Sequence, residues 1–273
     1  MQNKPLISIV TVCLNNAKDL GKTILSVKNQ NYGNKEYIII DGGSVDGTIN
    51  IINKYKDVIS YWISEKDNGI YDAMNKGILL ANGDFINFLN AGDYYFNEDI
   101  LKIVTNEINK NKDIELIYGL SENFSFLEGF NFVSGNKLDE NILWKGMPIC
   151  HQSMFFNKKI FKDIGLYDLN YKNMADYEFL LRYFKSKQNK KIIFIEKPLC
   201  NFSLYGLSDS NYLANLKEIQ LISKKYYYFD FLKKVYFLIK RVKYYFLVIL
   251  KNFKIYKIYR KIKYNIFFKK TIF

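Results

Sequence analysis

The feature that most constrains this chain is an alternation repeated through its first two hundred residues. A short apolar, mostly β-branched run is ended by a polar or glycine cluster, and a segment with helical spacing follows. Leu6–Val12 (LISIVTV) is such a run, stopped at Asn15-Asn16, and Asp19–Gln30 then carries Leu20, Ile24 and Val27 at helical spacing. Tyr37–Ile40 ends in Asp41-Gly42-Gly43-Ser44, before a helix from about Gly47 with Ile49, Ile51 and Ile52 inside. Ile59–Ser64 reads as a strand, Ile70–Ala81 as a helix, and Asp84–Leu89 as a strand stopped by Asn90-Ala91-Gly92-Asp93. Glu98–Asn109 reads as a helix, Ile114–Tyr118 as a strand, Phe124–Val133 as a hairpin or loop, Met174–Phe184 as a helix and Ile192–Ile195 as a strand. Apolar strands alternating with helices predict an α/β fold, its sheet mostly parallel and covered on both faces. In such sheets ligands bind beyond the carboxyl ends of strands. The polar clusters after the first, second and fourth strands are therefore candidate site loops by position alone.

Composition removes several alternatives. Of 273 residues, 49% are apolar and 25% charged, which suits a globular chain with its own core. The cysteines Cys13, Cys150 and Cys200 are far apart and odd in number, which argues for a reducing compartment and against a disulfide framework or a cysteine-rich zinc site. A single histidine, His151, argues against multi-histidine metal chemistry. The opening MQNKPLISIVTVCLNN is not expected to act as a signal peptide, because polar residues break its apolar run. The longest apolar run, Tyr244–Leu250, is seven residues, far short of the about 18 that span a bilayer.

The net charge of +13 is concentrated at one end. From Lys224 onward there are 15 basic residues and one acid, Asp230, which leaves 25 of the 40 basic residues against 26 of the 27 acids in the body. In this tail Leu232, Val235, Ile239, Val242, Phe246, Ile249, Phe253 and Tyr256 recur at spacings of three and four, the pattern of an amphipathic helix. Lys233, Lys240, Lys243, Lys251, Lys254 and Lys261 are expected on an adjoining face. A basic helix with interleaved aromatics suits an anionic bilayer surface. Packing of the apolar face on the body or on a second subunit is the competing reading. Lysine supplies 37 of the 40 basic residues, but a compositional bias does not explain why acids vanish only here.

Four clusters carry candidate chemistry. In Asp41–Thr48 a carboxylate at a strand end precedes glycines and a helix start; Asp41 could accept from a base or ribose, and Asp46 reads as a helix cap. Asn90-Ala91-Gly92-Asp93 is either a β-turn or a carboxylate placed to hold a divalent cation on a diphosphate. In Asp67–Gly77, Asp72 and Asn75 share a helix face and Lys76 could screen phosphate charge. Asp176, with Glu178 nearby, is either a first-turn acid favoured by the helix dipole or a base that takes a proton from an attacking hydroxyl. His151 opens an apolar run, and no G-x-S-x-G elbow surrounds Ser153.

Together the segments PLISIVTVCLNN, YIIIDGGSVDGT, YWISEKDNGIYDAMNKG, FINFLNAGD, CHQSMFF and MADYEFLLR resemble, in order and spacing, family 2 glycosyltransferases of the GT-A fold, in the branch that builds bacterial capsule, O-antigen and exopolysaccharide. The likeness runs from about Pro5 to about Ser208. It implies a GT-A catalytic domain over residues 1–210, Rossmann-like with flanking helices, and a membrane-facing helical tail over 211–273. It implies inverting transfer from a nucleoside-diphosphate sugar, with uracil as the base, to a lipid-linked or growing polysaccharide. Asp41 would meet the base, and Thr11 and Asn15 would line the first-strand end of the donor pocket. Asp72 and Asn75 would lie near ribose and diphosphate, Asn90 and Asp93 at the Mg²⁺ or Mn²⁺ position with Asp93 as metal ligand, His151 at the donor–acceptor junction, and Asp176 as general base. The chain departs from the family pattern at Asn90 and Gly92, where acids are usual, at Met74 for an arginine and at Ala175 for a glutamate.

The resemblance also implies a cytoplasmic enzyme, peripheral on the inner face of the cell membrane and meeting its anionic lipids through residues 224–273. Three other classes are weighed against it. A sugar-nucleotide pyrophosphorylase would need a Gly-rich basic loop after the first strand, which LNNAKDLGK lacks. A nucleic-acid-binding module would use the basic aromatic tail, but the acidic site loops offer no groove for phosphates, and no nucleic acid is expected. A non-catalytic homologue that only holds donor is the alternative that Asn90 and Gly92 suggest.

Overall fold

The computed structural model describes residues 4–111, 113–125, 130–186, 189–203 and 211–252. In chain order these form β1 (Ile7–Cys13), α1 (Leu20–Lys28), β2 (Lys35–Asp41), α2 (Thr48–Lys54), β3 (Tyr61–Ser64), α3 (Ile70–Leu80), β4 (Phe85–Phe88), β5 (Tyr94–Tyr95), α4 (Ile100–Lys110), β6 (Leu116–Ser125) and β7 (Phe130–Ser134). The later elements are β8 (Met154–Asn157), α5 (Lys159–Ile164), α6 (Ala175–Ser186), β9 (Ile192–Ser203), α7 (Tyr212–Tyr226) and α8 (Phe231–Asn252).

One sheet runs in the order β3-β2-β1-β4-β8-β6-β9-β5, with β7 paired to the far half of β6. Its first four strands are parallel. The register sets Cys13 opposite Asp41 and Asp41 opposite Ser64, so three strand ends meet on one edge. β8 then enters antiparallel to both β4 and β6. Its amino end therefore lies at the edge where β4 and β6 finish, with Met154 opposite Tyr118, and brings a single 3-10 turn, His151–Ser153, to that edge. The far half is mixed: β6 and β9 are parallel, while β5 runs against β9. The expected parallel half and flanking helices are present, and the mixed half is supplied by strands that return after longer excursions.

Alternation along the strands explains why both faces are covered. Ile38 and Ile40 belong to a core shared with α3 and α6, whereas Tyr37 and Ile39 belong to one shared with α1 and α4. Every residue of β1 is buried, and a fully buried Ile or Val contributes about 1.5–3 kcal/mol. Gly77 of α3 sits against the Val10 side chain with no room for a Cβ, which fixes that helix close to β1.

α7 packs on the body. Leu216 and Ile222 are buried, and Glu218 accepts the backbone N–H groups of Lys172, Asn173 and Met174 at 3.2, 3.0 and 3.0 Å. Glu178 is almost fully buried, pairs with Arg182 of its own helix at 3.0 Å, and joins α6 to α7 through Lys225 at 3.2 Å and the Tyr226 hydroxyl. It is a structural ion cluster, whose desolvation only such a set of partners offsets.

α8 turns its apolar stripe outward. Leu232, Leu238, Ile239, Val242, Tyr245, Phe246 and Ile249 are each more than half exposed. Its inner contacts are aromatic instead: Phe237 is fully buried, Tyr236 meets Trp144 at 4.9 Å between centroids, and Tyr244 stacks on Tyr212 at 5.1 Å. The expected lysine face is corrected in part. Lys233 pairs with Asp230 and lies over the Trp144 ring, and Lys240 lies over Tyr236, so both turn toward the body, while Lys243 is exposed. Phe253, Lys254, Tyr256 and Lys261 lie outside the described residues. No helix among the described residues is long and apolar enough to cross a membrane.

Candidate active site

The site begins at the shared strand edge. Asp41, the last residue of β2, is fully buried, and its carboxylate meets five donors. The backbone N–H groups of Gly43 and Ser44 donate at 3.1 and 2.8 Å, the Ser44 and Ser64 hydroxyls at 2.5 and 2.6 Å, and the Cys13 thiol at 3.4 Å. A carboxylate offers about four lone-pair positions, so this one is saturated. Burial pushes the Asp41 carboxyl up, but the hydrogen bonds from Ser44, Ser64 and Cys13 outweigh it and hold the group below the usual carboxylate value. Asp41, expected near the base, organises the loop from Gly42 to Ser44. Asp67 closes over that loop, its Oδ2 occupying the space a Cβ on Gly42 would need. Gly47, and not Asp46, stands at the N-cap of α2; Asp46, one residue earlier, accepts Thr48 N–H at 3.0 Å and also Ala17 N–H at 3.0 Å, which ties the loops after β1 and β2 together.

Thr11 lies within β1. It is fully buried, its hydroxyl donates to the Leu89 carbonyl at 2.7 Å, and the Tyr37 hydroxyl is 3.0 Å away. Asn15 is exposed at the loop surface with φ of 49°, and it is tied to the second loop by its side-chain oxygen, which accepts Val45 N–H at 2.9 Å. Asn75 is buried. Its amide donates to the Tyr167 carbonyl at 2.9 Å and accepts Tyr167 N–H at 3.0 Å, so both ends clamp a segment 92 residues away. Asp72 remains half-exposed, closes the first turn of α3 by accepting Asn68 N–H at 2.9 Å, and stands 3.8 Å from Lys76, which also pairs with Glu65 at 2.7 Å. Met74 is in the core.

Asn90-Ala91-Gly92-Asp93 is a turn closed by Asp93 N–H on the Asn90 carbonyl at 2.9 Å, with Gly92 at φ of 101°, a conformation L side chains rarely adopt. Thr23 of α1 holds it, donating to the Asp93 carbonyl at 2.7 Å and accepting Gly92 N–H at 2.9 Å. Asp93 is buried and accepts the Gln152 side-chain amide at 2.9 Å. Gln152 is placed in turn by Asn87, whose amide donates to the Gln152 and Met154 carbonyls at 3.0 and 2.8 Å. Within this tightly bonded turn, the side-chain oxygen of Asn90 is buried and takes no hydrogen bond among the described residues. Buried polar atoms are nearly always paired, so an open acceptor here points to a ligand or ion. Among the described residues no group of three or more His, Cys, Asp or Glu side chains gathers as a metal site. Mg²⁺ and Mn²⁺ on a diphosphate need only one or two protein oxygens, and Asn90 with Asp93 fits that donor set.

From Gln152 the site continues through its neighbour His151. The His151 ring is buried, stacks on Phe88 at 5.1 Å and shares a 2.8 Å hydrogen bond from Nε2 to the Tyr167 hydroxyl. Burial lowers its pKa and the nearby Asp176 raises it less, so the imidazole is held neutral. The Tyr167 ring lies 5.5 Å from the Tyr71 ring, and the Tyr71 hydroxyl donates to Asp176 Oδ1 at 2.7 Å. The structure thus joins Asp93, Gln152, His151, Tyr167, Tyr71 and Asp176 into one chain of contacts. Asp176 is half-exposed in the first turn of α6. Of the connecting residues, Tyr71 precedes Asp72 and Gln152 follows His151, so both sat inside quoted motifs without a role. Only the long-range contacts reveal what they do.

The pattern of Glycosyl transferase family 2 matches residues 8–165. A PGL/p-HBAD biosynthesis glycosyltransferase of Mycobacterium bovis is 34% identical over 185 residues, covering 67% of this chain and 71% of the relative. Among solved structures, TarS 1–349 of S. aureus in complex with UDP-GlcNAc aligns with a TM-score of 0.61 at 16% identity, covering 79% of this chain and 66% of that one. The mannosyltransferase PcManGT of Pyrobaculum calidifontis, in complex with GDP-Man and Mn²⁺, aligns with a TM-score of 0.59 at 14% identity, covering 79% of this chain and 62% of that one. The chain thus spans somewhat less than two thirds of these two structures, and the likeness to them establishes the GT-A fold.

Proposed function

Because the chain belongs to glycosyl transferase family 2, we propose that it moves a sugar, with inversion, from a nucleoside-diphosphate donor to a hydroxyl of a lipid-linked or growing polysaccharide acceptor. The observation that carries the reading is a pair of open acceptors at the two ends of one contact chain. Among the described residues, Asn90 Oδ1 is unsatisfied at one end, and Asp176 presents an oxygen with no hydrogen bond at the other. UDP is the donor base favoured by the family resemblance and by TarS, which binds UDP-GlcNAc.

In this mechanism the acceptor hydroxyl approaches the anomeric carbon while Asp176 takes its proton. The new bond forms from the acceptor oxygen to the anomeric carbon. The bond from that carbon to the diphosphate oxygen breaks, and the diphosphate departs with the electron pair. A Mg²⁺ or Mn²⁺ held by Asn90 and Asp93 would supply charge neutralisation at the departing diphosphate. Asn15 and the loop from Gly42 to Ser44, kept in shape by Asp41, frame the base. Asp72 and Lys76 border the diphosphate side. Thr11 and Asn75 act from behind, by fixing the loop after β4 and the Tyr167 segment. His151, neutral and bonded to Tyr167, shapes the junction between donor and acceptor.

The same reading assigns the tail to an anionic membrane surface on the cytoplasmic side. What supports it is the outward apolar stripe of α8, flanked by exposed Lys234, Arg241 and Lys243, with no acid from Phe231 to the end of the chain. Such helices lie in the interface, their apolar face buried and their cations on acidic headgroups. Since α7 packs on the body, we place the junction of catalytic unit and membrane helix near residues 227–230.

Calorimetric titration of the protein with UDP, with and without Mn²⁺, tests the donor site. Metal-dependent binding that is lost in Asp93→Ala supports the assignment. No UDP binding under either condition would remove uracil as the base and Asn90 and Asp93 from their roles.

A further inference from the structure

We propose that Tyr71 is a positioning residue for the general base: with the Tyr177 backbone N–H it anchors Oδ1 of Asp176, leaving Oδ2 as the oxygen that takes the acceptor's proton. The inference rests on Asp176 being the base. The Tyr71 hydroxyl donates to Oδ1 at 2.7 Å, and the Tyr177 N–H donates to the same oxygen at 2.8 Å. Among the described residues no hydrogen bond reaches Oδ2. A carboxylate fixed through one oxygen and open at the other has a defined orientation and one free acceptor, which is what a general base in a group transfer requires.

Tyr71 itself cannot drift. It is 7% exposed, its ring is tilted against Tyr167, and α3 is pressed on β1 at Gly77 and clamped to Tyr167 by Asn75. The hydroxyl faces two acceptors, since the Asn173 carbonyl is 2.9 Å away, yet it has one proton to give. While Asp176 is ionised, the charge-assisted bond to Oδ1 claims that proton. Once Oδ2 has been protonated and the charge is gone, the same proton can turn to the Asn173 carbonyl without either oxygen moving. Tyr71 thus distinguishes the base before transfer from the base after it. Burial and the adjacent Asp176 both push the Tyr71 phenol up, so it stays protonated and available to donate.

The other titratable groups near Asp176 are few. Tyr167 and His151 face it from the segments before α6, Glu218 of α7 holds the backbone of Asn173, and Glu178 on the same helix is paired with Arg182 and Lys225. A change confined to the Tyr71 hydroxyl touches none of these directly.

The test is the titration of the Asp176 carboxyl, followed by NMR on protein carrying carboxyl-labelled aspartate, with the resonance identified by its loss in Asp176→Asn. In Tyr71→Phe the midpoint is expected to rise, because a bond that favours the charged form has been removed. Replacing Tyr71 by 3-fluorotyrosine, a stronger donor of nearly the same shape, is expected to move it the opposite way, and it decides the matter should Tyr71→Phe fold poorly. Midpoints unmoved in both would overturn the positioning role. A parallel assay of UDP release from a panel of UDP-sugars, with water in place of the acceptor, separates this from failure of the premise. Turnover by Asp176→Asn equal to wild type would overturn Asp176 as base, and the proposal with it.

Discussion

Asp41 at the end of β2 and Asp176 at the start of α6 read alike in the sequence, each an acid at a junction with a helix or loop. They are built in opposite ways. Asp41 is sealed from solvent and has a donor for every lone pair, whereas Asp176 is half-exposed, held through one oxygen and, among the described residues, open at the other. The first arrangement stabilises a loop; the second keeps an acceptor for chemistry. The contrast recurs between Asp46, whose two oxygens hold Thr48 and Ala17, and Asn90, whose buried oxygen takes no hydrogen bond among the described residues. Satisfaction of hydrogen-bonding capacity, more than residue type or position, separates the groups that shape the donor loops from those placed to meet ligands.

The comparison can be broken most sharply at its open end. Asp176→Asn is expected to lower turnover by roughly 10²–10⁴-fold, the range for losing a general base, with UDP affinity unchanged. Asn90→Ala and Asp93→Ala are expected to weaken Mn²⁺-dependent UDP binding by roughly 10–100-fold in calorimetry.

At the sealed end the effect is on stability. Asp41→Asn turns an acceptor into a donor among five donors and is expected to cost about 2–4 kcal/mol, read as a melting point roughly 5–15 °C lower. The sign with pH follows from the lowered Asp41 pKa. Its contribution is present above the unfolded carboxylate value, about 3.9, and is lost as pH falls through the lower folded value. Wild type and Asp41→Asn should therefore differ at neutral pH and converge in acid. The smallest stability effect belongs to α8. Ile239→Glu with Val242→Glu lies on the exposed stripe and is expected to change stability by only about 0.5 kcal/mol while abolishing sedimentation with phosphatidylserine vesicles.

Much of the fold is legible in the chain because its signals are local. The apolar runs of β1, β2 and β4 and the clusters that end them need only a few neighbouring residues to be read. The insertion of β8 between β4 and β6 is not local: the apolar run after His151 is visible in the sequence, but its place in the sheet is not. The site divides the same way. Asn90, Asp93 and Asp176 stand out as acids and amides at element ends. Their partners come from 59 residues away for Gln152 on Asp93 and 105 for Tyr71 on Asp176. Saturation is likewise invisible in sequence: nothing local says that Ser64 and Cys13 converge on Asp41, or that both ends of Asn75 are taken by Tyr167.

The most direct test of the account measures thermal stability and UDP-sugar turnover in Asp41→Asn and Asp176→Asn side by side. The account predicts a clean crossing. Asp176→Asn should melt within a few degrees of wild type and lose turnover by at least roughly 100-fold, while Asp41→Asn loses stability first and retains turnover wherever it remains folded. An Asp176→Asn protein that turns over normally, or an Asp41→Asn protein that melts like wild type yet no longer binds UDP, would contradict it.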